Sequence, residues 1–186
     1  MTDEQSALLK LLSLCLAYPG AEALPEMEAA AAGLRDPHAR ERLVHFITLM
    51  KAQPLLKLQE HYTAVFDLNP SGSLNLTYHL MGDREDRGRA LAELLEVYGQ
   101  AGFEPAVNEL PDFLPLMLEF LAASSPAEPH PLILRCLAAM PAVAGRLKEA
   151  GSPYAVPLEL LCEALPATTH GPPSPDAATP AGAQGA

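Results

Sequence analysis

The feature of this sequence that most constrains its fold is the recurrence of apolar residues at spacings of three and four along nearly its whole length. Leu43, Phe46, Ile47 and Met50, for example, would form one inward face of an α-helix. Leucine and alanine dominate the apolar residues, and no segment alternates as a half-buried strand would. The sequence therefore predicts an all-α fold of about eight helices, near 2–18, 21–33, 37–51, 54–65, 84–101, 112–123, 132–150 with a bend at Pro141, and 153–165.

The helical pattern stops near Leu165. A chain of 186 residues fits one domain with a sizeable core, so residues 1–165 are predicted to form a single helical domain. From Pro166 onward, proline, alanine, glycine and threonine prevail without an apolar period. Residues 166–186 are therefore predicted to be a disordered tail.

Charge and cysteine content exclude several classes of protein. The net charge of -11 argues against a nucleic-acid partner, whose phosphates need a basic surface. The first apolar run begins acidic and contains Lys10, unlike a signal peptide, and no stretch reaches the roughly 20 apolar residues that span a bilayer. Cys15, Cys136 and Cys162 are far apart among apolar neighbours, which indicates buried thiols in a reducing cytosol.

The first of two notable junctions joins a turn to a charged helix start. Gly82 occupies a position where the backbone is expected to bend, and Asp83 is predicted to cap the following helix. Asp86 would lie beside the exposed amides of the first turn, and Arg87 would pair with a neighbouring acid. His79, just before the bend, is predicted to donate a hydrogen bond that fixes the turn.

The second junction is the segment Glu-Leu-Pro-Asp-Phe-Leu-Pro at 109–115. Prolines at 111 and 115 confine the helix start to about this turn, because a proline deeper inside would remove a backbone hydrogen bond. Asp112 is the predicted cap of this helix. Phe113 and Met117 are either groove-lining residues or part of the core.

Four motifs carry a resemblance to a known family. They are His-Tyr-x-x-x-Phe-Asp-Leu at 61–68, Ser-Leu-Asn-Leu-Thr-Tyr-His at 73–79, Gly-Asp-x-x-Asp-Arg-Gly at 82–88, and the proline-rich segment at 109–115. With this order and spacing, residues 6–165 resemble the respiratory nitrate reductase molybdenum-cofactor assembly chaperones, the NarJ or delta subunit group of the TorD-like chaperones.

The resemblance implies a TorD-like helical bundle with no catalysis of its own. Members of this group bind the apo catalytic (alpha) subunit of respiratory nitrate reductase in the cytoplasm, chiefly through its N-terminal segment. They permit molybdenum cofactor insertion before the complex docks at the membrane. The resemblance thus implies a chaperone that assists cofactor insertion but binds no cofactor stably, contacts no nucleic acid and does not insert into the membrane.

Between Arg89 and Arg135 the sequence contains no lysine or arginine but seven acidic residues. On the residues alone, this is either a solvated acidic face or an acidic rim around an apolar groove that suits a basic, amphipathic peptide. The family resemblance favours the rim. The residues predicted to bind the partner are His79, Gly82, Asp83, Asp86, Arg87, Glu104, Glu109, Asp112, Phe113 and Met117.

The residues also bear on three other functions. A metal site would need convergent ligands, and His61 and His79 lack the spacing of a metal-binding pair on a helix, so no metal is predicted. No nucleophile elbow, phosphate loop or paired-carboxylate motif supports an enzyme. A helical ligand carrier or a structural subunit of a molybdoenzyme complex stays open as an alternative, although the inward Glu-x-x-His pairs of such carriers are missing from the sequence.

Overall fold

The computed structural model describes residues 1–82, 85–105, 109–126 and 128–165, and within them the fold is all-α, as predicted. Asn75 and Phe113 form an isolated antiparallel bridge there. The ten α-helices of these ranges are α1 (Asp3–Leu16), α2 (Ala23–Ala32), α3 (Pro37–Lys51), α4 (Leu55–Tyr62), α5 (Leu76–Met81), α6 (Asp86–Gln100), α7 (Leu114–Ser124), α8 (Pro131–Leu137), α9 (Met140–Glu149) and α10 (Ala155–Ala164). The predicted tail, 166–186, lies outside the described residues.

The described residues contain two more α-helices than the eight predicted. The first is α5, a short helix within the motif at 73–79 that the apolar spacing did not reveal. The second arises because the predicted helix 132–150 is two helices, α8 and α9, which meet at 138–139. Pro141 lies in the first turn of α9, where a backbone amide has no partner within the helix, so the missing N–H of proline costs nothing there. The chain therefore breaks just before Pro141, and the predicted bend of one continuous helix at this residue is wrong.

Local sequence signals fix several helix starts. The predicted capping box of α1 is present: the Gln5 amide donates to Thr2 Oγ1 at 3.2 Å, and the Thr2 amide donates to Gln5 Oε1 at 3.0 Å. Asp36 caps α3, whose first residue is Pro37. These contacts satisfy amide donors that the first turn of a helix leaves without partners.

The core is built around the packing of α1 on α7, with the other helices arranged about this pair. The predicted inward residues of α3, from Leu43 to Met50, are all buried. In α6 the helical spacing predicts one apolar face that contains Leu91, Leu94, Leu95 and Tyr98. The structure buries Leu94 and Tyr98 but leaves Leu95 50% exposed, so this prediction is partly wrong. Leu95 lies about 100° around the helix from Leu94, on the side that faces away from buried Ala90. Leu95 is therefore an apolar residue on the outer surface.

The three cysteines differ in accessibility. Cys15 and Cys136 are buried, as predicted, and burial raises the pKa of each thiol to about 12. Cys162 is only partly buried, although burial raises the pKa of its thiol too. The prediction of a buried thiol is thus confirmed for two of the three.

We expect one thiol per chain to react with Ellman's reagent in the native protein at pH 8, because Cys162 is partly exposed while Cys15 and Cys136 are buried. Cys15 and Cys136 should react only after unfolding in urea. A Cys162→Ser variant, as the control, should show no fast reaction. Fast modification of two or three thiols in the folded protein would contradict the burial of α1 and α8.

Candidate functional site

The motif at 61–68 forms the end of α4 and a π-helical turn, Thr63–Asp67. Two aromatic residues of this motif, Tyr62 and Phe66, are buried, and their ring centroids lie 4.8 Å apart. The ring centroid of Phe66 also lies 4.9 Å from that of Tyr154. Isolated π-helical turns occur often at functional sites, because the extra residue redirects the chain. Here it directs the chain from α4 toward the second motif.

Gly72 holds the second motif against this π-helical turn. It ends a short 3-10 helix, Pro70–Gly72, and a Cβ atom at this position would lie 2.3 Å from the carbonyl oxygen of Val65. A backbone oxygen cannot move aside as a side chain can, so this contact requires glycine. The residue just before the second motif is therefore packed directly against the backbone of the first.

His79 and Gly82 behave as predicted. His79 Nε2 lies 2.7 Å from the carbonyl oxygen of Ser73, which accepts a hydrogen bond across the turn. Gly82 ends α5 with φ +60° and ψ -146°, a conformation that is essentially restricted to glycine. The predicted cap at Asp83 lies outside the described residues.

The most densely bonded side chain of the junction is Asp112, which is fully buried. Its Oδ2 accepts from both the amide and the hydroxyl of Thr77, and its Oδ1 accepts from the Asn75 side-chain amide at 3.2 Å. Its main-chain oxygen accepts from the Leu76 amide at 3.0 Å. Asp112 thus satisfies the first turn of α5, a helix whose own N-cap residue makes no side-chain hydrogen bond.

This arrangement corrects the prediction that Asp112 caps the helix at 112–123. That helix, α7, starts at Leu114 with Phe113 as an N-cap residue that forms no side-chain bond. The Asp112 carboxylate turns toward α5 because α5 presents amide and hydroxyl donors in a site that water does not reach. An aspartate on the exposed acidic rim was expected, and the structure buries it.

Arg87 joins α6 to the same network. Its Nε donates to Thr77 Oγ1 at 3.0 Å, and its Nη2 lies 3.6 Å from Asp112 Oδ2. Asp86, in the first turn of α6, pairs with Arg89 at the surface. Arg87 therefore pairs across the fold with Asp112, not with a sequence neighbour as predicted, and so it connects the start of α6 with the starts of α5 and α7.

Tyr98 anchors the other end of α6 to the same segment. Its hydroxyl donates to the Pro111 carbonyl oxygen at 2.7 Å. Burial, aided by the nearby Cys136 and Asp112, raises the pKa of Tyr98 far above its ordinary value, so the phenol keeps its proton and remains a donor. Arg87, near the start of α6, and Tyr98, near its end, thus both hold the 109–113 segment against this helix.

The remaining predicted site residues divide by exposure. Glu104 and Glu109 lie on the surface, and Phe113 is partly buried. Met117 is fully buried in the core, so of its two predicted roles the structure supports packing. Of the predicted acidic site residues in the 89–135 interval, the two that are exposed, Glu104 and Glu109, follow α6 and precede α7.

Sequence reasoning missed Asn75 and Thr77 as members of the junction. Thr77 is fully buried and bonds to both Asp112 and Arg87. The available signal was a threonine between Leu76 and Tyr78 in an apolar segment, since a buried hydroxyl needs a partner. The partner itself was not predictable, because it comes from 35 residues further along the chain.

Two properties of the described residues bear on other functions. No three His, Cys, Asp or Glu side chains converge there in a way that could hold a metal ion. No helix in the same ranges is both long enough and apolar enough to cross a bilayer.

Comparisons with known proteins agree on one family. The profile of the nitrate reductase delta subunit family matches residues 20–158. The Bacillus subtilis (strain 168) protein named probable nitrate reductase molybdenum cofactor assembly chaperone NarJ is 34% identical over 167 residues, which cover 88% of this chain and 91% of that protein. The Escherichia coli (strain K12) nitrate reductase molybdenum cofactor assembly chaperone NarJ is 34% identical over 161 residues, with 82% of this chain and 67% of that protein covered.

A solved structure supports the fold independently. The crystal structure of a protein described as a redox enzyme maturation protein from Archaeoglobus fulgidus superposes with a TM-score of 0.63 at 22% identity, and covers 85% of this chain and 91% of that one. The region that the family profile matches, residues 20–158, contains all four sequence motifs. The chain belongs to the nitrate reductase delta subunit family.

Proposed function

We propose that this protein is a dedicated assembly chaperone that holds the apo catalytic subunit of a respiratory nitrate reductase while the molybdenum cofactor is inserted. The observation that carries the proposal is the 34% identity to the Bacillus subtilis NarJ chaperone over nearly the full length of both proteins. On this proposal the protein acts in the cytoplasm, catalyses no reaction and releases its client once the reductase is assembled.

Genetic removal tests this function directly. A host strain that lacks the protein should accumulate the catalytic subunit without molybdenum and show little nitrate reductase activity in its membranes. Expression of the full chain should restore both the metal content and the activity. Full activity and normal molybdenum content in the deletion strain would refute the proposal. Recovery of the protein as a stoichiometric component of the purified membrane enzyme would favour a structural subunit.

We further propose that the client's N-terminal segment binds near the second junction, with Glu104, Glu109 and Phe113 in contact with it. Both glutamates are exposed, and neither has a lysine or arginine nearby in sequence, so they attract a basic segment. His79, Gly82, Asp112 and Arg87 then act as positioning residues that shape the junction.

Charge reversal tests this location. The variant Glu104→Lys/Glu109→Lys should bind a synthetic peptide of the client's N-terminal segment about tenfold more weakly at low salt, because exposed ion pairs are each worth less than about 1 kcal/mol. The difference should shrink in high salt, where exposed charges are screened. Calorimetric titration at two salt concentrations measures both effects.

The matched control is Glu26→Lys/Glu41→Lys, which makes the same change in net charge at two exposed positions on α2 and α3. It should bind the peptide nearly as well as the wild type. Equal weakening by both double variants would mean that total charge matters and that Glu104 and Glu109 have no local role.

A further inference from the structure

The Tyr154 hydroxyl is buried, and it has no hydrogen-bond partner among the residues that the structure describes. Burial, with nearby Cys15 as a smaller contributor, raises the pKa of Tyr154 well above its ordinary value, so the phenol keeps its proton and remains a donor. A buried donor without an acceptor has lost its bond to water and gained nothing in return. The hydroxyl therefore raises the free energy of this packed arrangement relative to one in which it has an acceptor.

The Tyr154 ring belongs to a cluster of aromatic side chains. Its centroid lies 4.9 Å from that of Phe66, and the His61 ring is stacked on it at 5.7 Å. Tyr62 lies in the same cluster, with its ring centroid 5.9 Å from that of Tyr154, but its hydroxyl donates to the Leu16 carbonyl oxygen at 3.0 Å. Tyr62 and Tyr154 therefore share an environment and differ in whether the hydroxyl is bonded.

Phe66 belongs to the π-helical turn Thr63–Asp67, and this turn has a second arrangement close at hand. The Leu68 amide donates to the Thr63 carbonyl oxygen, five residues back, at 2.9 Å. In an α-helical turn the same amide would donate to the carbonyl oxygen of Ala64, four residues back. The change requires only an exchange of acceptors within a backbone that is already helical. It would rotate Phe66 within the aromatic cluster and shift the chain that follows Leu68.

The chain that follows the turn leads directly to the starts of α5 and α7. Gly72 is packed against the carbonyl oxygen of Val65, so a movement of the turn reaches it without delay. Two residues later, the Leu74 carbonyl oxygen accepts from the amide of Leu114, the first residue of α7, at 2.8 Å. Leu74 also precedes Asn75, the N-cap residue of α5. A shift at the turn is therefore transmitted to the first residues of both helices.

We infer that the π-helical turn and Tyr154 form a two-state element that opens the starts of α5 and α7 together. In the closed state the turn is π-helical and the Tyr154 hydroxyl lacks an acceptor. In the open state the turn is α-helical, and the shifted chain admits a carbonyl oxygen or water to this hydroxyl. The unpaired hydroxyl keeps the free-energy gap between the two states small, so a binding partner needs little differential affinity to select the open one. This element belongs to the chain itself and does not depend on the proposed client.

The substitution Tyr154→Phe tests the element, because it removes the hydroxyl and keeps the ring. Native-state hydrogen exchange of the full chain measures the opening at four amides bonded across the turn or the junction, those of Leu68, Leu76, Thr77 and Leu114. In the wild type these four should exchange together and faster than the amides of α1, which report global unfolding. In Tyr154→Phe they should exchange about tenfold more slowly, because the change removes an unpaired donor from the closed state and a bonded one from the open state.

Tyr62→Phe is the matched control, because it removes a bonded hydroxyl from the same aromatic cluster. The four reporter amides should exchange several-fold faster in this variant than in the wild type. Unchanged or faster exchange in Tyr154→Phe would show that the Tyr154 hydroxyl has an acceptor in solution, such as a buried water, and would overturn the inference.

The coupling between the turn and the junction has its own outcome in the same experiment. The Leu68 amide reports the turn, while the other three report the starts of α5 and α7. Tyr154→Phe should slow all four by the same factor, since one opening exposes them all. A change confined to Leu68, or exchange of all four only together with the amides of α1, would show that no shared local opening exists and would overturn the two-state element.

Discussion

Replacement of Asp112 by alanine is expected to destabilise the protein by about 3 kcal/mol, since the change breaks a buried charge pair and leaves buried donors without partners. The carboxylate accepts from the Thr77 amide, the Thr77 hydroxyl and the Asn75 side chain, and it lies 3.6 Å from Arg87 Nη2. Its loss removes the side-chain cap of α5 and isolates the guanidinium at the start of α6. A loss of this size is a large share of the 5–15 kcal/mol that stabilises a typical domain.

Urea unfolding measures this effect, and Glu109→Ala is its matched control. Glu109 is an acid three residues earlier on the same segment, but it is exposed, so its removal should change the free energy of unfolding by less than about 0.5 kcal/mol. Asp112→Asn keeps an acceptor for Thr77 while it removes the charge, so its stability should fall between the two. Equal midpoints for Asp112→Ala and Glu109→Ala would show that the buried network contributes little.

A double-mutant cycle with Thr77→Val identifies the contact responsible. Thr77 bonds to both Asp112 and Arg87, so its loss should overlap strongly with the loss of Asp112. The two substitutions together should therefore cost clearly less than the sum of the single costs. Additive costs would instead place the Asp112 effect at its contacts with Asn75 and Arg87.

The difference between the predicted and observed roles of Asp112 shows where sequence reasoning stops. An aspartate just before an apolar helical run is a sound local signal for an N-cap, and the same reasoning succeeded at Thr2 and Asp36. Those two caps bond to amides two or three residues away. Asp112 instead bonds to Thr77, and a partner so distant in sequence is fixed by packing, which local spacing does not encode.

The exposure of apolar residues could likewise be predicted where it depends on local spacing, but not where it depends on packing. The helical period identified the buried face of α3 correctly, because one repeating stripe faces one core. In α6 the leucines at 91, 94 and 95 extend over more of the helix surface than the core covers, so the period alone could not tell which of them would remain outside. The exposure of Leu95 was therefore known only from the packing of α6.

Gly72→Ala is expected to cost about 3 kcal/mol, at the upper end for an overpacked site. The added Cβ would approach the Val65 carbonyl oxygen to 2.3 Å and the carbonyl carbon to 3.4 Å. Relief requires a backbone shift in the π-helical turn, which contains buried Phe66 and follows buried Tyr62. The free energy of unfolding from urea titration, with near-ultraviolet circular dichroism of the tyrosines, should report both the loss and the altered aromatic packing.

Gly20→Ala is the control, because nothing lies within 4 Å of a Cβ atom there and its backbone does not need a positive φ. This change should alter stability by no more than about 0.5 kcal/mol. The position of Gly72 matters because the next two residues hold the junction together. The Ser73 carbonyl oxygen accepts a hydrogen bond from His79, and the Leu74 carbonyl oxygen accepts one from the Leu114 amide. If the chain shifts at Gly72, the starts of α5 and α7 must shift with it. A Gly72→Ala protein as stable as Gly20→Ala would show that the π-helical turn yields easily and does not hold this junction in place.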